Sequence, residues 1–464
     1  MKRKPRIGLL PLYLELYDET LPDLLPNLRP FLGRAVQGFE ERGIEVLDAP
    51  VSRTARSVAE AVGLFEKQEV DLIVTLHLAY SPSLEAIDAL AATRIPILML
   101  DTTMDRDFGP TVDPIRILYN HGIHGVMDLA SMLRRRGKRF EIVAGHITES
   151  TALERAADAA RAAYGAAALR NARALRIGEA FKGMGDFAVP RGALSERLGI
   201  HVDEIPVAAL AAKAASVKPG QIDAEMKADA DRFRLDLDAE VHRRSVRVGL
   251  GLREYLEEGR YDAFSMNFQA FDSDEEPIDT VPFLEASKAM ARGVGYAGEG
   301  DALTAALVGA LSRAFGKATF CEVFCPDWRG NALFLSHMGE INPEVAASKP
   351  VLREKDYPFS AALNPAFLAC GVAPGPAVLV NLAPGPNDAF ELIVAPVEVL
   401  AETRLNPKLE EWVRAWIRPK RGIAEFLEAY SRLGGTHHSA LVLGDRVEAV
   451  RTFALFAGLP CHTL

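Results

Sequence analysis

Two glutamates and three histidines carry most of the chemistry available to this sequence. They are Glu299 in "GVGYAGEGD", Glu322 in "TFCEVFC", His337 in "NALFLSHM", and the consecutive His437 and His438 in "GGTHHSALVLG". Oxygen and nitrogen donors of this kind suit a divalent cation such as Mn²⁺ better than a thiolate-preferring metal. Two carboxylates in different surroundings can also serve as general acid and general base. Each residue has a plainer reading when taken alone: a solvated loop glutamate at 299, a structural salt bridge at 322, a structural strand-end histidine at 337. Taken together they point to a metal site between the second and third of three expected domains.

The glycines before Glu299 spell G-x-G-x-x-G, the dinucleotide fingerprint, at Gly293, Gly295 and Gly298. That fingerprint needs a strand before it and a helix opening within it. Here "FLEASKAMAR" precedes it, with Phe283, Ala286 and Met290 at helical spacing, so the expected context is a helix end and a loop. Asp301 reads as the cap of a helix whose stripe is Leu303, Leu307, Leu311 and Ala314. On this reading the glycines bend a loop that delivers Glu299 just ahead of a helix N-terminus, where the dipole favours a carboxylate. In "TFCEVFC" alternation puts Phe320, Glu322 and Phe324 on one strand face, and both thiols, Cys321 and Cys325, are expected to be buried. His437 and His438, being neighbours on a strand, approach a common site from opposite sides.

Three blocks of chain must position these groups. Residues 1–170 alternate apolar runs ("RIGLLPLY", "DLIVTLHL", "IPILML", "FEIVAGH") with amphipathic helices, the rhythm of a doubly wound parallel sheet. The basic run Arg134–Arg139 falls at the end of one such helix, where cations suit the dipole and Gly137 can cap. Residues 171–316 form a second α/β domain of the same kind, with "ALRIGEAF" and "YDAFSMNF" as strands and a long charged helical stretch from Asp223 to Gly259. Residues 317–464 are strand-rich with Gly/Pro turns and read as a barrel-like β domain.

Composition bounds the function. A chain of 464 residues, 49% hydrophobic and with a net charge of −10, is long enough for about three globular domains and too acidic for a typical nucleic-acid binder. No uncharged apolar run reaches the ~20 residues of a membrane span, no targeting segment is visible, and four cysteines make no disulfide framework, so the expectation is a cytoplasmic protein.

The motifs "GYAGEGDALTAAL", "FCEVF", "LSHMGEINP" and "GGTHHSAL", in that order, resemble the L-arabinose isomerases within the wider arabinose/fucose isomerase superfamily. The resemblance is strong over Val294–Pro343 and Gly434–Ala440; elsewhere it follows the domain pattern. Two glutamates favour the arabinose-type subgroup, since fucose isomerases place an aspartate at the second position. The resemblance implies an aldose–ketose isomerase acting on a monosaccharide through a cis-enediol, with Glu299 and Glu322 as acid and base. It implies that Glu299, Glu322, His337 and His438 hold Mn²⁺ (Co²⁺ or Mg²⁺ being compatible) and that His437 touches the sugar. Further sugar contacts map onto Phe268, Tyr80 and Met184. "NHGIHG", with His121 and His124, resembles a segment that reaches a neighbouring subunit's active site, which implies a homo-oligomer, hexameric or trimer-based. Arabinose isomerases carry glutamine where His121 stands, and glutamine and leucine where Tyr13 and Glu15 stand, so the hydroxyls read should differ. Two other classes stay open at this point: a sugar-binding or regulatory protein without turnover, and a related epimerase or aldolase.

Overall fold

The computed structural model describes residues 3–272 and 278–464. The chain divides into two compact units, Met1–Ala167 with Thr452–Gly458, and Ala168–Arg451 with Leu459–Leu464.

In the first unit, β1 (Arg6–Leu12), β2 (Glu45–Asp48), β3 (Leu72–His77), β4 (Ile97–Asp101) and β5 (Phe140–Ala144) form one parallel sheet in the order β2-β1-β3-β4-β5. β3 is buried along its whole length, as its apolar run requires of a strand covered on both faces. Leu10, Ile73 and Met99 from the sheet meet Val58 and Leu129 from the helices Ala55–Lys67 and Ile123–Arg135. Arg134 and Arg135 sit in the last turn of the latter helix, and Gly137 follows at φ +66°, so the basic run is a helix end.

The second unit begins with β6 (Arg173–Ile177) and β7 (His201–Ile205); the short β8 (Arg234–Asp236) follows, then β9 (Ala263–Met266) and β10 (Gly295–Gly298). Four of these make a parallel sheet ordered β10-β9-β6-β7, while β8 joins a larger sheet. The charged stretch expected as one helix is therefore two, Pro219–Arg232 and Ala239–Glu258, parted by β8 and restarted by Asp238, whose side chain accepts the Glu240 N–H. Its polarity gives no periodic signal at the break.

The larger sheet holds β11 (Ala318–Asp327), β12 (Ala332–Ser336), β13 (Val351–Glu354), β14 (Ala366–Gly371), β15 (Gly375–Pro384), β16 (Phe390–Val399), β17 (Val413–Pro419), β18 (His438–Leu443) and β19 (Cys461–Thr463). Six of them, in the order β11-β12-β17-β16-β15-β18, close into an antiparallel barrel, because β16 pairs with both β15 and β17 and β18 returns to β11. Closure leaves these strands without an open edge. Leu333, Leu335, Leu379, Ile393, Ile417 and Leu441 are buried together in its core. The fold is thus two doubly wound α/β sheets followed by a barrel-like β domain.

Two local expectations fail. Gly295–Gly298 is a strand paired in parallel with β9, not a loop. Glycine is a poor strand former, but a Cβ on Gly295 would lie 2.0 Å from the Ala305 carbonyl oxygen, so tertiary contact with the helix Ala302–Phe315 decides the conformation. On β11 the register slips between Val323 and Cys325, which ends the alternation; Cys321 is buried but Cys325 is exposed.

Candidate metal and catalytic centre

The barrel ladder assembles three of the candidates. Glu322 on β11 stands opposite His438 on β18 and, on its other side, opposite Ser336 on β12, the residue before His337. The fourth arrives from the α/β sheet. β10 ends at Gly298, and Glu299 and Gly300 turn the chain at φ +65° and +93° into the helix Ala302–Phe315. A left-handed glutamate costs on the order of 1–3 kcal/mol and needs surrounding contacts to hold it. The Phe181 N–H donates to the Glu299 carbonyl at 2.8 Å, and the Gly300 N–H donates to the Ser265 hydroxyl at 2.9 Å.

Glu299, His437 and His438 form one group of converging donor atoms, and Glu322, His337 and His438 form another, each within 4.8 Å. His438 belongs to both. Glu299 Oε2 lies 3.7 Å from His438 Nε2 and 3.9 Å from His437 Nε2; Glu322 Oε2 lies 3.8 Å from His337 Nε2. The two inner imidazoles are oriented alike. His337 Nδ1 bonds Glu340 Oε2 at 2.8 Å, and His438 Nδ1 bonds Asp301 Oδ2 at 3.1 Å, both carboxylates being fully buried. With Nδ1–H donating outward, each Nε2 keeps its lone pair toward the centre. Both Nε2 atoms are buried without a partner among the described residues.

Aromatic rings fix these imidazoles further. Phe320 stands edge-on to His337 and His438, and Phe187 stacks on His438 at 5.0 Å. Gly298 is required for space, because a Cβ there would lie 2.6 Å from His337 Cε1.

Electrostatics follow from burial and partners. Burial pushes the Glu322 carboxyl upward, and the imidazoles of His337 and His438 offset this only in part. Burial would lower the His337 imidazole, but the carboxylates of Glu340, Glu322 and Glu299 together more than compensate and the net direction is up. Glu340 itself is opposed by burial yet held low by His337 and by the Tyr296 hydroxyl, which donates to Oε1 at 2.7 Å. On His437, burial is outweighed by the carboxylates of Glu299 and Asp186, which carry it up to about 9.

Buried ring nitrogens left without a partner are costly, and a divalent cation would satisfy both at once. The donor set of carboxylates and imidazoles is the type that Mn²⁺ accepts. A carboxylate on the far ring nitrogen, as Glu340 on His337 and Asp301 on His438, is the usual means of fixing the tautomer of a metal-bound imidazole. The residues fit such an ion.

The remaining candidates divide between the units. Phe268 packs on Phe181, whose backbone holds Glu299, and the Met184 N–H bonds the Phe181 carbonyl, so both adjoin the Glu299 turn. Tyr13, Tyr80, His121 and His124 lie in the first unit with Tyr17, whose hydroxyl is 3.1 Å from His121 Nε2. Tyr13 is buried and Glu15 exposed. Sequence reasoning missed Asp186, Tyr296, Glu340 and Tyr17. Of these only Glu340 carried a signal, its three-residue spacing from His337 in "HMGE". Asp301 was legible as a helix cap but not as the partner of His438; it is both, since Oδ1 accepts the Thr304 N–H.

Residues 176–315 match the L-arabinose isomerase central domain and residues 317–460 the L-arabinose isomerase C-terminal domain. An L-arabinose isomerase from Nocardioides sp. is 29% identical over 444 residues, which cover 90% of this chain and 86% of that one. Another from Clostridium beijerinckii is 29% identical over 399 residues, covering 84% and 80%. A solved periplasmic solute-binding protein from Actinobacillus succinogenes with bound D-allose covers 67% of this chain and 92% of its own at 15% identity. Its TM-score is 0.19. Among the described residues, no helix is long and apolar enough to cross a membrane.

Proposed function

The chain belongs to the L-arabinose isomerase-like proteins of the arabinose/fucose isomerase superfamily, and on that premise we propose that it is a metal-dependent aldose–ketose isomerase whose acid and base are Glu299 and Glu322. The observation that supports this most directly is the pair of buried, unpartnered Nε2 atoms on His337 and His438, facing two carboxylates.

Glu299, Glu322, His337 and His438 would hold Mn²⁺, with Co²⁺ or Mg²⁺ compatible with the same donors. When bound, the ion supplies Lewis-acid stabilisation of charge on the sugar's first two oxygens. The protein's own groups move the protons. One carboxylate removes the proton at C2 of the open-chain aldose while O1 takes one up, which gives a cis-enediol. The proton is then delivered to C1 as the O2 hydroxyl loses its own, and the ketose results. On this reading His437, Phe268 and Met184 would line the sugar beside the Glu299 turn.

The same reading gives Tyr13, Glu15, Tyr80, His121 and His124 sugar contacts from the first unit, His124 reaching a neighbouring subunit of a hexameric or trimer-based homo-oligomer. It also places the protein in the cytoplasm. Because Tyr13, Glu15 and His121 differ from the pattern of the arabinose-type relatives, the substrate is expected to differ from L-arabinose in one or more hydroxyls.

Incubation with Mn²⁺ and a panel of aldoses and ketoses, followed by chromatography, tests the activity. Glu322→Gln should lower turnover of the converted sugar at least ~10²-fold. Wild-type turnover by a folded, metal-loaded Glu322→Gln protein would remove the catalytic assignment.

A further inference from the structure

Three imidazoles of the centre each bond a carboxylate through Nδ1, but the third pair differs in position. The partners of His337 and His438 are sealed from solvent, whereas the His437 side chain is 31% exposed and that of Asp186 36%. A single oxygen, Asp186 Oδ2, receives both the His437 backbone N–H at 3.0 Å and Nδ1 at 2.5 Å. The ring is therefore fixed in direction. Phe187 borders it at 5.6 Å, and Nε2 is turned to the Glu299 carboxylate 3.9 Å away. His437 stands at the open side of the centre, while its neighbour His438 is fully buried behind it.

A partly exposed, hydrogen-bonded carboxylate–imidazole pair whose Nε2 faces the centre can shuttle protons. The isomerisation does not need a third such pair for the C1–C2 transfer, which two carboxylates complete. It does need an open-chain sugar, and aldoses in water are overwhelmingly cyclic hemiacetals. We propose that the Asp186–His437 pair opens the sugar ring, so that the enzyme takes the cyclic aldose and produces its own open-chain substrate. His437 Nε2–H donates its proton to the ring oxygen as the C1–O5 bond breaks. The O1–H bond electrons form the C1=O1 carbonyl, and the O1 proton replaces the one that Nε2 gave up. No other reactant is consumed. O1 and O5 are attached to the same carbon, so one ring nitrogen can serve both. His437 is the catalytic residue of this step and Asp186 its positioning residue. The assignment rests on the isomerase reading above for the kind of ligand that enters the centre.

Mutarotation requires opening and closure but no transfer between C1 and C2, which separates the two readings. Freshly dissolved single anomers of L-arabinose, L-ribose, D-xylose and D-ribose are followed by polarimetry with the Glu322→Gln protein, in which isomerisation is blocked. Acceleration of mutarotation in proportion to protein concentration is expected for at least one sugar. Adding Asp186→Asn should cut that acceleration at least ~10²-fold, and adding His437→Gln should abolish it, with melting temperatures matched to the parent. With Glu322 intact, Asp186→Asn should slow conversion of the cyclic sugar by a similar factor. Turnover of the same sugar methylated at O4 and O5, which cannot close a ring, should fall by a clearly smaller factor, since only its contact with His437 is disturbed. Equal losses on both sugars would make Asp186 a scaffold residue only and overturn the proposal. So would ketose formation by the wild type with no acceleration of mutarotation, an outcome that leaves the isomerase reading standing. Accelerated mutarotation without any ketose from the wild type would instead overturn the isomerase reading and keep ring opening.

Discussion

Glu340 Oε2 and His337 Nδ1 are joined by a 2.8 Å hydrogen bond in which neither partner meets solvent. The bond determines which nitrogen of His337 faces Glu322, and the Tyr296 hydroxyl on the other Glu340 oxygen prevents the carboxylate from turning away. Glu340→Gln keeps the shape but removes the charge behind the imidazole. Metal affinity is expected to fall ~10–100-fold, measured by calorimetric titration of Mn²⁺ into metal-free protein, while circular dichroism is unchanged. Unaltered affinity would show that Glu340 does not tune this ligand.

Gly298→Ala tests whether glycine is present for His337. Its Cβ would sit 2.6 Å from Cε1 and 2.9 Å from Nε2 of that ring. The ring must shift, so Mn²⁺ affinity should drop at least tenfold with a stability loss of about 1–3 kcal/mol. Gly295→Ala is the control. Its Cβ would meet backbone of the helix Ala302–Phe315, at the Ala305 carbonyl oxygen and the Gly309 nitrogen. A comparable or larger stability loss is expected there, with the metal affinity of the surviving folded protein retained.

Asp301 joins a folding role to a site role, and substitution can separate them. Asparagine caps helices about as well as aspartate, so Asp301→Asn should hold stability within about 1 kcal/mol. The charged partner of His438 is lost at the same time, and Mn²⁺ affinity should fall by tenfold or more. Asp301→Ala should lose the affinity and, in addition, about 1 kcal/mol of helix capping, read from urea denaturation midpoints.

The barrel strands and both parallel sheets were legible because apolar alternation and strand–helix rhythm are local. β10 was not, since four residues with two glycines carry no strand signal until the helix Ala302–Phe315 packs against them. Glu322, His337 and His438 could be named from their types, but their convergence depends on register. A slip of one residue on β18 would put His437, not His438, opposite Glu322. Asp186 reaches His437 across 251 positions from a segment without regular alternation, and no sequence pattern encodes that contact. The exposure of Cys325 was unreadable for a related reason: the bulge that turns it outward is a property of the β11–β12 pairing, not of "CEVFC".

His77 makes a prediction for the first unit alone. It ends β3 beneath the start of the helix Ile123–Arg135, where Gly122 and Gly125 leave only the space the imidazole fills. Burial lowers its pKa to about 4, with a smaller opposing pull from Asp128, and Nδ1 has no partner among the described residues. The folded protein therefore keeps His77 neutral at pH values where the unfolded chain, near 6.5, is protonated. Its contribution to stability is fully present above pH ~6.5, declines as pH falls toward ~4, and is flat below that. At ~1.4 kcal/mol per pKa unit, roughly 2 kcal/mol should be lost by pH 5. Carboxylates add their own acid sensitivity, so the informative quantity is a difference. His77→Gln should be less stable than wild type at pH 7.5 yet lose roughly 2 kcal/mol less between pH 7.5 and 5 in urea titrations. Parallel curves for the two proteins would mean that His77 is already charged in the fold, or that acid opens this unit elsewhere first.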